Sequence, residues 1–188
     1  MENKSWKLFC IFHVNLRQGE IDMRKSLLVL FIVLATFSVS YAQNNVQQFR
    51  ESYPKARKDA ALCKKQLDII DRMQSPTALE LAYAGAFYAV WPEHVTSPLK
   101  KLNAFKKGKD YLEQAIHAEP GMLEIHFLRL TVQHNAPAML GYNGNKEEDL
   151  AIVLEKYATA TSPALRANIK EFLFSTDLLG DSQRKTFE

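Results

Sequence analysis

Along residues 54–179 the apolar positions recur every three or four residues, and the period of two that marks a strand is nearly absent. In PKARKDAALCKKQLDIIDRM (54–73), Ala56, Ala60, Cys63, Leu67 and Ile70 share one side with Met73 close behind, and lysines and aspartates fill the other. This predicts one amphipathic helix, preceded by a shorter turn that uses Val46, Phe49 and Tyr53. TALELAYAGAFYAVW (77–91) is interrupted only by Thr77 and Glu80, which predicts the most buried helix of the chain, ended by Pro92. Gly85 in its middle weakens a helix unless a neighbouring backbone comes close there.

In SPLKKLNAFKKGKDYLEQAIHAEPG (97–121), Phe105, Leu112, Ala115 and Ile116 share a face, while Leu99 and Leu102 fall out of phase. A kink or fresh start near Asn103 would reconcile them. MLEIHFLRLTVQHN (122–135) is apolar around most of its circumference except for a narrow polar stripe of His126, Arg129 and Gln133. APAMLGYNGN (136–145) reads as a loop and KEEDLAIVLEKYATAT as a helix whose first turn holds Glu147, Glu148 and Asp149, the sign the helix dipole prefers. A last helix is expected from about Pro163 to Leu179, stopped by Gly180. Three Ser-Pro pairs, at 75–76, 97–98 and 162–163, mark helix starts, because serine caps an orphan amide and proline has none to leave unsatisfied. The expected fold is all-α, with about six helices stacked as antiparallel hairpins.

Helices in such short succession invite a search for repeats. Gly108, Leu112, Ala115 and Pro120 are spaced 4, 3 and 5 apart, and Ala151, Ala158 and Pro163 restate three of those positions 43 residues later, with Glu155 in place of Leu112. On these residues, and on Leu81, Ala84, Gly85 and Tyr88 in the helix before, residues 78–163 resemble the tetratricopeptide-repeat family. An insertion of 11 residues around WPEHVTSPLKK reconciles the repeat length. The next unit departs from the pattern, having His126, Arg129, Leu130 and Gln133 at the four expected positions. The resemblance implies stacked helical hairpins and a concave surface for a protein or peptide partner. NAPAMLGYNGN is also similar to segments of small uncharacterised exported helical proteins of bacteria.

The N-terminal part changes the object under study. MRKSLLVLFIVLATFSVSYAQ (23–43) has two cations, an apolar run from Leu27 to Ala35 and small residues in Ser40-Tyr41-Ala42. It is shorter than the ~20 apolar residues a membrane-spanning helix needs and matches a secretory signal peptide over residues 23–42, cleaved before Gln43. Residues 1–22 show no pattern tying them to the rest and are expected to be a spurious extension ahead of a start at Met23. The working domain is then residues 43–188, exported to the periplasm or beyond, with no membrane span left. The whole-chain excess of +3 falls to +1 once residues 1–42, with five of the 24 cations and three of the 21 acids, are set aside. That balance argues for no nucleic-acid partner. Cys10 precedes the cleavage point, so Cys63 has no partner for an internal disulfide and, on an apolar stripe, reads as packing.

The chemistry is sparse. The histidines have no pair spaced to place two metal ligands on one helix face, and no nucleophile elbow, phosphate loop or dinucleotide turn is present. Neither a metal, a cofactor nor a catalytic group is indicated, and the reading leans away from an enzyme. The best binding candidates are His126, Arg129 and Gln133, with Tyr142 in the loop that follows. Such a stripe is either solvated, or has Arg129 paired to a carboxylate that orients neighbouring helices, or lines a pocket for a small ligand or substrate with Tyr83, Phe87 and Trp91 as aromatic walls. Two functions follow: an exported, non-catalytic interaction module, or a ligand-binding protein or enzyme working beside that stripe.

Overall fold

A computed structural model describes residues 25–30, 45–180 and 183–185, and divides the chain into two compact units, Met1–Gln43 and Asn44–Glu188. In the first unit, residues 25–30 are helical, and Leu27, Leu28, Val29 and Leu30 are exposed. The extension over residues 1–22, Cys10 and the Ser40-Tyr41-Ala42 end of the expected signal lie outside the described residues. No helix among those described is long and apolar enough to cross a membrane.

The second unit is all-α among the described residues. Its helices are α1 (residues 45–56), α2 (Ala60–Ile70), α3 (Ala78–Val90), α4 (Pro98–Ala118), α5 (Leu123–Asn135), α6 (Lys146–Lys156) and α7 (Pro163–Ser175), and residues 183–185 are also helical. Single 3-10 turns occupy Trp91–His94, Ala138–Leu140 and Tyr157–Thr159. The helix expected over residues 54–73 is two helices. The chain turns after Ala56, where Lys58 N–H donates to the Lys55 carbonyl (3.0 Å), and Asp59 caps α2 by accepting from Leu62 N–H (2.9 Å). The apolar spacing runs through this break because Ala56 and Cys63 serve the same core from different helices.

Other boundaries follow from capping. Ser97 and Ser162 cap α4 and α7, each followed by proline, as expected. Ser75-Pro76 does not begin a helix. Thr77 does, because it forms a reciprocal capping box with Glu80: Thr77 N–H donates to Glu80 Oε2 (2.9 Å) and Glu80 N–H to Thr77 Oγ1 (3.3 Å). The last helix ends at Ser175 instead of near Gly180. There Ser175 Oγ and Thr176 Oγ1 donate to the carbonyls of Phe172 and Leu173, and Arg184 binds the Thr176 carbonyl at 2.7 Å. α4 runs unbroken through Asn103, and the phase mismatch is met by leaving Leu99 and Leu102 outside, 67% and 38% exposed.

α3 and α4 make the most extensive helix pair. A Cβ on Gly108 would lie 2.6 Å from the Gly85 carbonyl oxygen and 2.8 Å from Ala89 N, and one on Gly85 would lie 2.6 Å from the Gly108 carbonyl. The two backbones therefore touch where both side chains are missing, which is the close approach that Gly85 called for.

α5 stands at the centre, and every residue from Leu123 to Gln133 is buried. Ile125, Leu128 and Val132 face a first core with α1 to α4, around Phe49, Tyr83, Phe87 and Leu112. Leu123, Phe127 and Leu130 face a second core with Val153 of α6 and Leu165, Ile169 and Leu173 of α7. In an exposed helix Gly→Ala stabilises by about 1 kcal/mol. Gly108→Ala is expected to do the reverse, lowering stability by about 1–3 kcal/mol through overpacking, as read by the shift in urea midpoint against wild type.

Candidate functional site

The remaining two faces of α5 are polar, and their partners decide what they do. On one face, Glu124, Thr131 and Asn135 meet Arg50 and Tyr53 of α1 and Arg57 just beyond its end, in ascending order on both, so the two helices run parallel. Glu124 is buried and accepts from Arg50 Nε and Nη2 at 2.7 Å each, with Tyr83 Oη donating a third bond to Oε1 at 2.7 Å. Burial, followed by the Glu124 carboxylate, pushes the Tyr83 phenol well above the ordinary tyrosine range.

The other face is the stripe of His126, Arg129 and Gln133. All three converge on Asp149 of α6, which has no exposed surface. Arg129 donates to it through Nε (2.8 Å, Oδ2) and Nη2 (2.8 Å, Oδ1), and Gln133 Nε2 donates to Oδ2 at 2.9 Å. His126 Nδ1 lies 2.6 Å from Oδ1. Gln133 uses its other end to accept from Asn145 N–H at 3.1 Å, fixing the start of α6.

Tyr142 joins the same network through Glu113 of α4. Its hydroxyl donates to Glu113 Oε1 at 2.6 Å, and Arg129 Nη1 reaches Glu113 Oε2 at 3.3 Å. Burial, and then the Glu113 carboxylate, raise the Tyr142 phenol far above its usual range. Thus the four candidate residues are brought together, each with a polar partner from another segment. Tyr83 and Phe87 pack tilted and edge-on against Phe49 in the first core and line no pocket with the stripe. Asp149 was the residue missed: a first-turn acid is explained by the helix dipole, as exposed Glu147 and Glu148 are, and only burial reveals its different role.

The histidine's charge state follows from its neighbours. Nδ1 faces the Asp149 carboxylate, which also accepts from Arg129 and Gln133, and Nε2 faces the Pro120 carbonyl oxygen at 2.8 Å. Both are acceptors, an arrangement that favours the ring protonated on both nitrogens. Burial lowers its pKa, but the bonds to Asp149 and to Pro120 together outweigh burial and hold it above the usual histidine value. Arg129, buried beside the same carboxylate, is likewise raised despite desolvation. Lys156 Nζ donates to the neighbouring Gly121 carbonyl at 2.7 Å, so His126 and Lys156 together clamp the turn between α4 and α5.

Elsewhere, Cys63 is buried with its Sγ 3.9 Å from the Phe87 carbonyl, and burial pushes its thiol up to about 12, which keeps it protonated and unreactive. His94 binds the Ala56 carbonyl at 2.7 Å, and His117 is exposed. Two clefts open near the C-terminal ends of α1 and α5, and neither is lined by His126, Arg129, Gln133 or Tyr142. One, of about 420 Å³, has Val90, Pro92, Leu102, Phe105, Met139 and Leu140 among its walls. The other, of about 360 Å³, lies against α7 and includes His134, Asn168, Glu171, Ser175 and Thr176. Gly141, at φ 59°, makes the left-handed turn that separates exposed Met139 from buried Tyr142.

No protein-family model, curated protein or solved structure matches the chain.

A ring held protonated by the fold contributes stability that is fully present below about pH 6.5 and is lost as pH rises through its raised folded value. Urea midpoints should therefore fall between about pH 6.5 and 8, below the ordinary thiol value of about 8.5 around which an unfolded Cys63 adds most of its own pH dependence. His126→Gln should be less stable at the acid end and lose this slope; an equal slope in the variant would place the pH dependence elsewhere.

Proposed function

We propose that the chain is an exported, non-catalytic helical interaction module of a bacterial cell envelope, whose cleft beside Leu102 takes an apolar segment of a protein or peptide partner. The observation that carries this reading is the half-open apolar cleft with Leu102 and Met139 at its rim, 38% and 90% exposed. Exposed apolar side chains beside an apolar concavity cost nothing when scattered, but together they offer area that a partner can remove from water.

The polar groups that would suit catalysis are spent on one another around Asp149 and hold helices together. This favours binding over chemistry. The α3–α4 hairpin, joined glycine on glycine at two of the positions behind the resemblance to tetratricopeptide repeats, supports a stacked-hairpin scaffold. Export rests on the cations, apolar run and small-residue end of residues 23–42.

Mass spectrometry of the native protein should find a mature N-terminus at Gln43 and no peptides from residues 1–22. Either those peptides or an intact mass that retains residues 23–42 would count against export by a cleaved signal. For the cleft, mild crosslinking in the envelope fraction should join the wild-type protein to a partner that Leu102→Glu no longer retains. Leu102 is on the surface, so the variant keeps its fold. A wild-type protein that remains uncrosslinked, or a variant that holds the same partner equally well, would overturn the docking role.

A further inference from the structure

We infer that the two clefts are halves of one groove for an extended peptide, which places apolar side chains beside Leu102 and a lysine or arginine beside Glu171. This rests on the docking role proposed above and specifies the partner's chemistry. The clefts share four lining residues, Tyr53, Arg57, Thr131 and Asn135. Tyr53 is in the last turn of α1 and Arg57 immediately follows it, and Thr131 and Asn135 lie one turn apart on α5. They are bonded across in pairs: Tyr53 Oη with Thr131 Oγ1 at 2.8 Å, and the Arg57 guanidinium donating to the Asn135 side-chain oxygen. The four make a fixed ridge with a cleft on either side.

The two sides differ in chemistry. Beside Leu102 the wall is mostly aliphatic and aromatic, whereas beside Glu171 it presents Asn168, Ser175, Thr176 and His134. Asn168, Ser175 and Thr176 already donate to backbone carbonyls, but a lipid chain, which would suit the first, would strand the Glu171 carboxylate and His134 Nδ1 of the second. A small polar molecule would suit only the second. An extended peptide crosses a ridge with successive side chains of different kind, and satisfies both.

The charge requirement follows from what is already paired. Arg57 is answered by Glu93 at 2.9 Å, while Glu171 is exposed and has no ion pair among the described residues. His134 Nδ1, on the same side, is buried and lacks a hydrogen-bond partner. The unmatched charge of that half is negative, and a cationic side chain complements it.

The test is selection of a phage-displayed random peptide library on the purified exported protein, followed by affinity measurement of the enriched peptides as synthetic probes. The expected motif is a cluster of apolar residues followed or preceded by Lys or Arg. Its affinity should fall about tenfold on Glu171→Lys, a surface change, and be lost on Leu102→Glu. An apolar motif with no cation, or affinity indifferent to Glu171→Lys, would overturn the two-part groove and leave the apolar docking site standing. No enriched peptide, or binding insensitive to Leu102→Glu, would remove both.

Discussion

A carboxylate with no exposed surface is tolerated only if every lone pair has a donor, and Asp149 organises the domain around that requirement. Its desolvation costs several kcal/mol, which the Arg129 fork, the His126 ring and the Gln133 amide offset only in the observed geometry. All three donors come from one helix at i, i+3 and i+7, so α6 can dock on α5 in a single register and rotation. Arg129 extends the constraint to α4 through Glu113, and His126 extends it to the turn at Pro120. Removing one partner of such a set would cost about 3–5 kcal/mol because charges would be left buried and unmatched. The network is a specification of arrangement first and a source of stability second.

The same logic governs the other polar face of α5. Glu124 is held by a bidentate Arg50 and by Tyr83, which fixes α1 and α3 against the central helix at once. α1 is in turn tied to α7, since Asn168 donates to the Arg50 carbonyl at 2.7 Å. A helix fully enclosed by its neighbours would gain more from apolar residues at these positions if packing alone mattered. Charged pairs instead tell each neighbour which way round to sit.

Periodicity made the helices legible wherever one face was buried and the other wet. The all-α class, the buried α3, the caps at Ser97 and Ser162 and the packing role of Cys63 could all be read from residue spacing. What spacing cannot distinguish is a helix from two helices that serve the same core, and so the break at residues 57–59 was invisible until Asp59 was seen capping. Likewise Thr77 outcompeted Ser75 because it has Glu80 three residues on, a pairing present in the sequence but masked by the stronger Ser-Pro signal. For the polar stripe, pairing of Arg129 with a carboxylate was one of three readings left open, beside a solvated face and a pocket wall. The carboxylate's identity required tertiary structure, because Glu147, Glu148 and Asp149 are equivalent to the helix dipole and differ only in which one the turn of α6 directs inward.

α5 contributes Ile125, Leu128 and Val132 to one core and Leu123, Phe127 and Leu130 to the other. The two cores are opposite sides of the same rod. Melting either would expose one flank of α5 and loosen the polar contacts that hold the other, so neither has an independent route to unfolding. Arrays of repeated units unravel unit by unit because each touches only its neighbours; a central helix shared by two cores ties them together and favours one cooperative unfolding event.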